Sequence, residues 1–558
     1  MNNSIAIIAE GNQNLADEFG FIRIEYLQMV TDQKIDEWIK HFFSKYPDIE
    51  KIIIPVRLGK DDSDYTGLRV GLHIRLTKEL GKKRLIPIMF LSEQTRNEII
   101  GNQIFNSNEK TSLLLFTPGV KLIGSFDLNK ETIEGFNNHI TEEDLKSQVL
   151  PKLLITNQRE QGHQLANEWG VFRLAKFAGI ELTSIKLPTD LYFKHQFSKT
   201  NLNIQPHGNT KIGLQIKGCN ALLIDDNANE GWKEVLEHIL KSNINLYSSK
   251  LDILTTYKDA DAYEDYESKD IIFLDLRLKP EEDRASESLP LEELSGLKLL
   301  HKIKGINKGI QVIILTASNK AWNMKALLDA GADGYFIKES PEIPVSDNAS
   351  KMNYDNLVKA IKEALDKGYL KEIDKIHKKA TEFIDIDYST KNTNYQLFYD
   401  RSRSSLDIAF ELLKYASKDN KYFNLAYLTY YQILEDYTSQ IENFEFVSTT
   451  ECYVDNRTKR VISLSSSARP EWSLKYVKDR NGNYFQRTII ENEFKVESLA
   501  KISFVLAFKH HKDNTYLKSF GKIHQLRNTK AAHGGGSYIT IPEIKEILDV
   551  VKLFFSQP

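Results

Sequence analysis

Ala221–Asp226 reads A-L-L-I-D-D, Ile271–Asp275 reads I-I-F-L-D, Val312–Thr316 reads V-I-I-L-T and Gly334–Lys338 reads G-Y-F-I-K, with Ser295–Leu300, S-G-L-K-L-L, between the second and third. Short continuous Ile/Val/Leu runs are the signature of strands buried on both faces of a parallel sheet, and ligand chemistry in such sheets collects just beyond the carboxyl ends of the strands. Each run here ends on a polar residue. The reading therefore brings Asp225, Asp226, Asp275, Thr316 and Lys338 to one sheet edge.

Working outward, strand and helix patterns alternate from residue 1 to about 370, which predicts parallel sheets flanked by helices. Past Asn394 the pattern changes. Gln396–Tyr415, Tyr422–Ile441, Val496–His510, Ser519–Ala532 and Ile541–Phe555 carry apolar residues at three- and four-residue spacing and predict a helical bundle. Phe444–Ile490, between the second and third, is rich in Thr, Val, Ser and Tyr and holds the hairpin signal R-N-G-N at Arg480–Asn483. The expected fold is multidomain: two doubly wound α/β domains of flavodoxin-like type, then an α-helical bundle with a β-like insertion. The expected divisions are 1–145, a helical connector at 146–214, 215–370, a linker helix at 371–393, and 394–558.

The composition narrows the function classes. At 558 residues the chain is long enough for about three or four domains. Its 41% hydrophobic and 27% charged content suits globular protein and excludes a disordered or fibrous chain. The net charge of −3 argues against a uniformly basic nucleic-acid binder while leaving room for a local basic groove. Cys219 and Cys452 are the only cysteines, too few for a disulfide framework or a cysteine zinc site. The opening M-N-N-S-I-A-I-I-A-E-G lacks a basic leader, and no run approaches the roughly 20 apolar residues of a membrane span. The expectation is a cytoplasmic protein with no membrane partner.

An internal repeat links the two α/β segments. Lys51–Leu58 (K-I-I-I-P-V-R-L), Tyr65–Leu72 (Y-T-G-L-R-V-G-L) and Ile86–Ser92 (I-P-I-M-F-L-S) parallel Asp270–Leu278, Ser295–Leu300 and Gln311–Thr316. In that register Pro55 stands opposite Asp275, Ser92 opposite Thr316, and Ala9 and Glu10 opposite Asp225 and Asp226. The first copy keeps the scaffold and loses the chemistry.

Three converging carboxylates repel one another unless a cation lies between them, so Asp225, Asp226 and Asp275 suit an oxygen-ligand site for Mg²⁺. Asp275 is then a candidate nucleophile forming an acyl-phosphate, with the Lys338 ammonium stabilising the equatorial oxygens and the Thr316 hydroxyl bonding the transferred group. These residues, with D-A-G-A-D-G-Y-F-I-K-E-S at Asp329–Ser340, make Gly218–Tyr369 resemble a response-regulator receiver domain. The resemblance implies Asp275 as phosphoacceptor, Asp226 as a direct metal ligand, Asp225 as a supporting acid and the Arg277 backbone carbonyl as a further ligand. It also implies that Thr316 and Tyr335 rearrange on phosphorylation, and that a sensor histidine kinase or other phosphodonor is a partner. A departure is the long acidic loop Lys279–Leu294. By the same comparison residues 1–145 resemble a degenerate pseudo-receiver. His163, in the helical stretch Glu160–Gly179, reads as a packing-helix residue beside Leu165, Trp169 and Phe172, since no kinase ATP-binding pattern accompanies it.

His524–Gly536, H-Q-L-R-N-T-K-A-A-H-G-G-G, places Arg527, Asn528 and His533 around a helix end. Six residues turn about 240° on an ideal helix, so Arg527 and His533 converge only if the helix ends or distorts between them. An Arg on phosphate, a His for proton transfer and an orienting Asn suffice for RNA cleavage by the ribose 2′-OH without a metal. The stretch resembles the HEPN superfamily, over roughly Asn394–Pro558. That resemblance implies an endoribonuclease needing no cofactor, RNA as substrate, and a homodimer whose active site joins two copies. The combined expectation is an effector in which Asp275 phosphorylation controls a HEPN ribonuclease, an architecture similar to stress or antiphage toxins. The alternative is a non-enzymatic adaptor binding partners through both kinds of domain.

Overall fold

The computed structural model describes the chain except residues 1–3, 9–12, 25–30, 59–64, 107–109, 159–161, 182–184, 186, 201–217, 285–288, 318–320, 344, 391–394, 440–443, 447–450, 455–459, 465–473, 477–497, 510–514, 533–535 and 557–558. Two compact units are present. One comprises Met1–Thr210, Asn229–Ile239 and Ile337–Tyr354; the other comprises Lys211–Ala228, Leu240–Phe336 and Asp355–Pro558. The division runs through the span 215–370 that the sequence reads as one domain.

In the first unit five strands form a sheet: β1 (Ile5–Ile8), β2 (Ile22–Ile24), β3 (Lys51–Pro55), β4 (Ile88–Leu91) and β5 (Val120–Ile123), in the order β2-β1-β3-β4-β5. β1 pairs with β2 and β3, β3 with β4 and β4 with β5, each in parallel. The Ile-rich runs of β1, β3 and β4 are buried along their whole length, as a sheet covered on both faces requires. The Leu191–Lys199 helix belongs to this body. Its buried Lys194 ammonium binds the Asp36 carboxylate, Thr77 Oγ1 at 2.8 Å and His73 Nδ1 at 3.1 Å. Asp32 accepts from Arg69 Nε at 2.7 Å, from His73 Nε2 at 2.9 Å and from the Leu191 N–H at 3.0 Å. Burial raises the Asp32 carboxyl pKa, but the His73 and Arg69 hydrogen bonds outweigh it and hold the group well below the usual carboxylate range.

The second unit contains β6 (Asn220–Ile224), β7 (Lys250–Leu254), β8 (Ile271–Asp275), β9 (Val312–Thr316) and β10 (Gly334–Ile337), in the order β10-β9-β8-β6-β7. Read from the other edge this is the same two-one-three-four-five order as the first sheet, the flavodoxin-like doubly wound arrangement. The repeat is thus structural as well as sequential. Pro55 ends β3 and pairs with Leu91, while Asp275 ends β8 and pairs with Leu315, so Ser92 and Thr316 hold equivalent positions. Ala9 and Glu10 lie outside the described residues.

Two glycines carry the repeat physically. A Cβ on Gly67 would stand 1.9 Å from the Pro55 carbonyl oxygen, and one on Gly296 would stand 2.3 Å from that of Asp275. In both copies the helix after the third strand starts against that strand's own end, at a distance only a glycine permits.

The carboxyl-terminal part of the second unit is helical: Leu370–Thr390, Gln396–Tyr415, Lys421–Ser439, Ser498–Lys509, Thr515–Leu526 and Ile541–Phe555. Their shared core is rich in aromatic residues, among them Phe398, Phe410, Tyr427, Tyr430, Tyr431 and Phe554. Buried phenols need partners, and three from Lys421–Ser439 reach other helices. Tyr427 donates to the Ile523 carbonyl at 2.8 Å, Tyr430 meets His377 Nε2 at 2.8 Å and Tyr431 meets His524 Nδ1 at 2.6 Å. The β-like insertion contains an antiparallel sheet of β11 (Phe444–Phe446), β12 (Glu451–Val454), β13 (Arg460–Leu464) and β14 (Leu474–Tyr476). The R-N-G-N signal lies outside the described residues.

The Leu370–Thr390 helix, read from its charges as a linker, is part of this core. Leu370, Ile373, Ala380 and Ile384 are buried with the bundle, and Tyr369 donates to the Leu413 carbonyl at 2.7 Å. The same helix is held to the second sheet's loops. Lys371 Nζ donates to the Lys269 carbonyl at 2.7 Å, and Asn307 Nδ2 donates to the Lys371 carbonyl at 3.1 Å.

Candidate functional site

The local sequence explains how β6 and β8 deliver their acids. From Ala221 in β6 and from Ile271 in β8 the strands are apolar and buried up to their carboxyl ends, where Asp225 follows β6 and Asp275 closes β8. Carboxylate oxygens of Asp225, Asp226 and Asp275 all lie within 4.8 Å of one another. Asp225 and Asp275 are buried, at 0% and 6% exposure. Amide donors hold the group in place: Asn227 N–H donates to Asp225 at 2.8 Å, Leu276 N–H donates to Asp275 at 2.7 Å, and the Asn227 side-chain amide donates to Asp226 at 2.7 Å. Three anions at this separation, two of them removed from water, fit the oxygen donor set of a hard divalent cation.

Thr316 ends β9 and is buried, whereas Tyr335 on β10 is exposed. Arg277 stands two residues beyond Asp275 in the following loop. In the acidic loop Lys279–Leu294, Glu282, on a short helix Pro280–Arg284, is buried and accepts from Ser295 N–H at 2.8 Å and Ser295 Oγ at 2.7 Å. Its carboxylate thus serves the start of the Ser295–Ile306 helix, where negative charge is favoured.

Lys338 follows β10 and belongs to the first unit, where it is 2% exposed. Its ammonium donates to Asn167 Oδ1 at 2.5 Å and lies 4.9 Å from the Trp232 ring centroid. Asn167 comes from the Gly162–Ala178 helix, whose Gly170 lets Trp232 and Lys338 approach: a Cβ there would be 3.1 Å from Trp232 and 3.4 Å from Lys338. Leu165, Trp169 and Phe172 of that helix pack together with Phe193 and Phe197 as the sequence suggested. The His163 side chain lies outside the described residues.

The second cluster lies in the carboxyl-terminal helical region. The Thr515–Leu526 helix continues into a π-helical turn, Arg527–Ala531, with Ala532 N–H reaching the Arg527 carbonyl at 2.8 Å. The helix is thus distorted directly after Arg527. His533 lies outside the described residues. Arg527 Nη1 donates to Asn528 Oδ1 at 2.9 Å, Arg527 Nη2 lies 3.8 Å from Glu435 and the guanidinium sits 5.3 Å from the Tyr431 ring centroid. Asn528 Nδ2 lies 3.0 Å from His524 Nε2. His524, Tyr431 and Glu435 had no place in the sequence reading. His524 opens the quoted motif three residues before Arg527, and that spacing was its one visible signal. Burial raises the Tyr431 phenol above its ordinary pKa, joined by the negative Glu435 and opposed by Arg527.

Among the described residues, no helix is long and apolar enough to cross a membrane. A family model described as "Inactive Receiver domain" matches residues 1–123. The nitrate/nitrite response regulator protein NarP of Escherichia coli (strain K12) is 39% identical over 75 residues, a match spanning 13% of this chain and 29% of NarP. Among solved structures, a CheY-like response regulator receiver domain protein from Methanospirillum hungatei JF-1 is 22% identical, covering 27% of this chain and 95% of its own, with a TM-score of 0.19. The receiver domain of NtrX from Brucella abortus is 18% identical, covering 26% and 98%, with a TM-score of 0.19. The inactive-receiver match covers the sheet in which Pro55 occupies the place of Asp275. The chain carries a receiver-type domain of the inactive kind at its N-terminus.

Proposed function

We propose that the chain is a response-regulator-type effector in which Asp275 accepts a phosphoryl group and the helical region cleaves RNA. The observation that carries the input half is the gathering of the Asp225, Asp226 and Asp275 carboxylates within 4.8 Å at one sheet edge. An Asp275 oxygen attacks the phosphorus of a phosphodonor such as a phosphohistidine; a P–O bond forms, the donor's P–N bond breaks, and the nitrogen leaves with the electron pair. A divalent cation such as Mg²⁺, held by the three carboxylates and the Arg277 carbonyl, supplies positive charge that offsets theirs and the phosphoryl group's. Thr316, at the end of the neighbouring strand, then serves as the hydroxyl that reports the transfer.

The output half rests on the resemblance of the Arg527 motif to HEPN nucleases and on the π-turn that distorts the helix after Arg527. Arg527 binds the scissile phosphate, His533 moves a proton, and the ribose 2′-OH displaces the 5′-oxygen, leaving a cyclic phosphate. A route from input to output is supported by the Leu370–Thr390 helix, which is bonded to the loops of the second sheet and buried in the bundle core. The test is RNA cleavage by the full chain with and without Mg²⁺ and beryllofluoride, for wild type, Asp275→Asn and Arg527→Ala. Cleavage lost in Arg527→Ala and shifted by beryllofluoride in wild type alone supports the reading. Cleavage indifferent to Asp275 overturns the switch, and the absence of Arg527-dependent cleavage favours a non-enzymatic adaptor.

A further inference from the structure

The Arg527 guanidinium has only donors, so its 2.9 Å bond to Asn528 fixes the amide oxygen toward it and the amide nitrogen toward His524. That nitrogen, 3.0 Å from His524 Nε2, can only donate. Nε2 must therefore accept, and the neutral ring carries its proton on Nδ1, 2.6 Å from the Tyr431 hydroxyl oxygen. Turning the amide over sets its nitrogen against Arg527, donor against donor. The ring's tautomer is thus dictated by an arginine two hydrogen bonds away.

Resting on the nuclease reading above, we infer that His524 and Tyr431 are positioning residues for Arg527. Asn528 is anchored by His524, His524 by the hydroxyl of the buried Tyr431, and Arg527 lies over the ring of that same tyrosine. Tyr431 thus holds the guanidinium twice, through its face directly and through its hydroxyl by way of His524 and Asn528. Glu435, 3.8 Å away one helical turn further along the Lys421–Ser439 helix, supplies the opposing charge. A guanidinium restrained on three sides has little rotamer freedom left to lose when it meets an RNA phosphate, which lowers the cost of catalysis by preorganisation. The residue that meets the RNA phosphate remains Arg527; His524 and Tyr431 act through it.

The test uses the full chain with two independent readouts. Long-range ¹H–¹⁵N spectra of ¹⁵N-histidine-labelled protein, with the His524 signal identified by its loss in His524→Gln, report the tautomer. The expected result is the Nδ1–H form in wild type and a change toward mixed tautomers in Asn528→Ala; an Nε2–H ring in wild type overturns the relay. Cleavage of a fluorogenic RNA oligonucleotide reports the role. Tyr431→Phe, which removes one oxygen from the core, is expected to lower kcat by about tenfold with KM changed less than about twofold, and His524→Gln by more. Thr529→Ala, altering an exposed hydroxyl bonded within the helix, is the control. Wild-type kcat in Tyr431→Phe and His524→Gln, with activity lost in Arg527→Ala, overturns the positioning role alone. No cleavage by wild type overturns the nuclease reading and the role with it, while the tautomer still decides whether the relay exists.

Discussion

Asp374 accepts the backbone N–H of Lys308 at 3.2 Å, tying the Leu370–Thr390 helix to the turn that leads into β9. Asp374 is buried, and the turn meets the helix so closely that a Cβ on Gly309 would stand 2.2 Å from the Leu370 carbonyl carbon. Since β9 ends at Thr316, the contact joins one end of a strand bearing a candidate switch residue to a helix of the bundle core. Asp374→Ala leaves the amide without its acceptor and is expected to destabilise the second unit by about 1–3 kcal/mol. Chemical denaturation followed by tryptophan fluorescence and by far-UV circular dichroism would measure it. It should also weaken any effect of beryllofluoride on the bundle; an unchanged response would remove this contact from the route.

Neutralising one member of the acidic group should separate repulsion from metal binding. In EDTA, Asp226→Asn is expected to melt above wild type, because one of three mutually repelling charges is gone. Mg²⁺ should raise the wild-type melting temperature in proportion to the logarithm of its concentration and raise that of the variant less. Calorimetry in EDTA and in a Mg²⁺ series decides; equal stabilisation of both forms would count against a metal role for Asp226.

The paired glycines predict matched damage. Gly67→Ala and Gly296→Ala each force a methyl into backbone at 1.9 Å and 2.3 Å respectively, with an expected loss of about 2–3 kcal/mol. Circular dichroism melts of the single variants test this. A tolerated alanine at either site would mean the helix start can retreat from the strand end.

Acid should weaken both units from near-neutral pH downward. Burial holds His73, His195 and His377 at pKa values of about 4, against about 6.5 for the free side chain. Between those values the unfolded chain binds protons that the folded chain refuses, so stability falls as pH drops from about 6.5 to about 4 and levels off below. Each histidine contributes up to about 3 kcal/mol over that window. Asp32, whose carboxyl is held low, adds a loss only at still lower pH. His377→Phe should flatten the second unit's share of the profile, as read by urea midpoints across the pH range; an unaltered slope would assign the acid sensitivity elsewhere.

Much of the fold was legible because its signals are local. The runs ending at Asp225, Asp275 and Thr316 are buried on both faces of a parallel sheet, and such strands must be apolar until they reach the edge. Pro55 and Asp275 aligned for the same reason, and Gly67 and Gly296 marked one steric constraint met twice. The carboxyl-terminal helices followed from their three- and four-residue apolar spacing.

What sequence spacing alone determined is therefore the pair of doubly wound sheets and the acids at one edge. Tertiary structure decided the rest, because it depends on residues far apart in the chain. It buried the charged Leu370–Thr390 segment as a core helix, since only packing reveals which face of an amphipathic helix is covered. It gave Glu282 to the start of a helix and Lys338 to Asn167, 171 residues away. It also set Tyr431 against His524, 93 residues apart, through a hydrogen bond whose direction no linear pattern encodes.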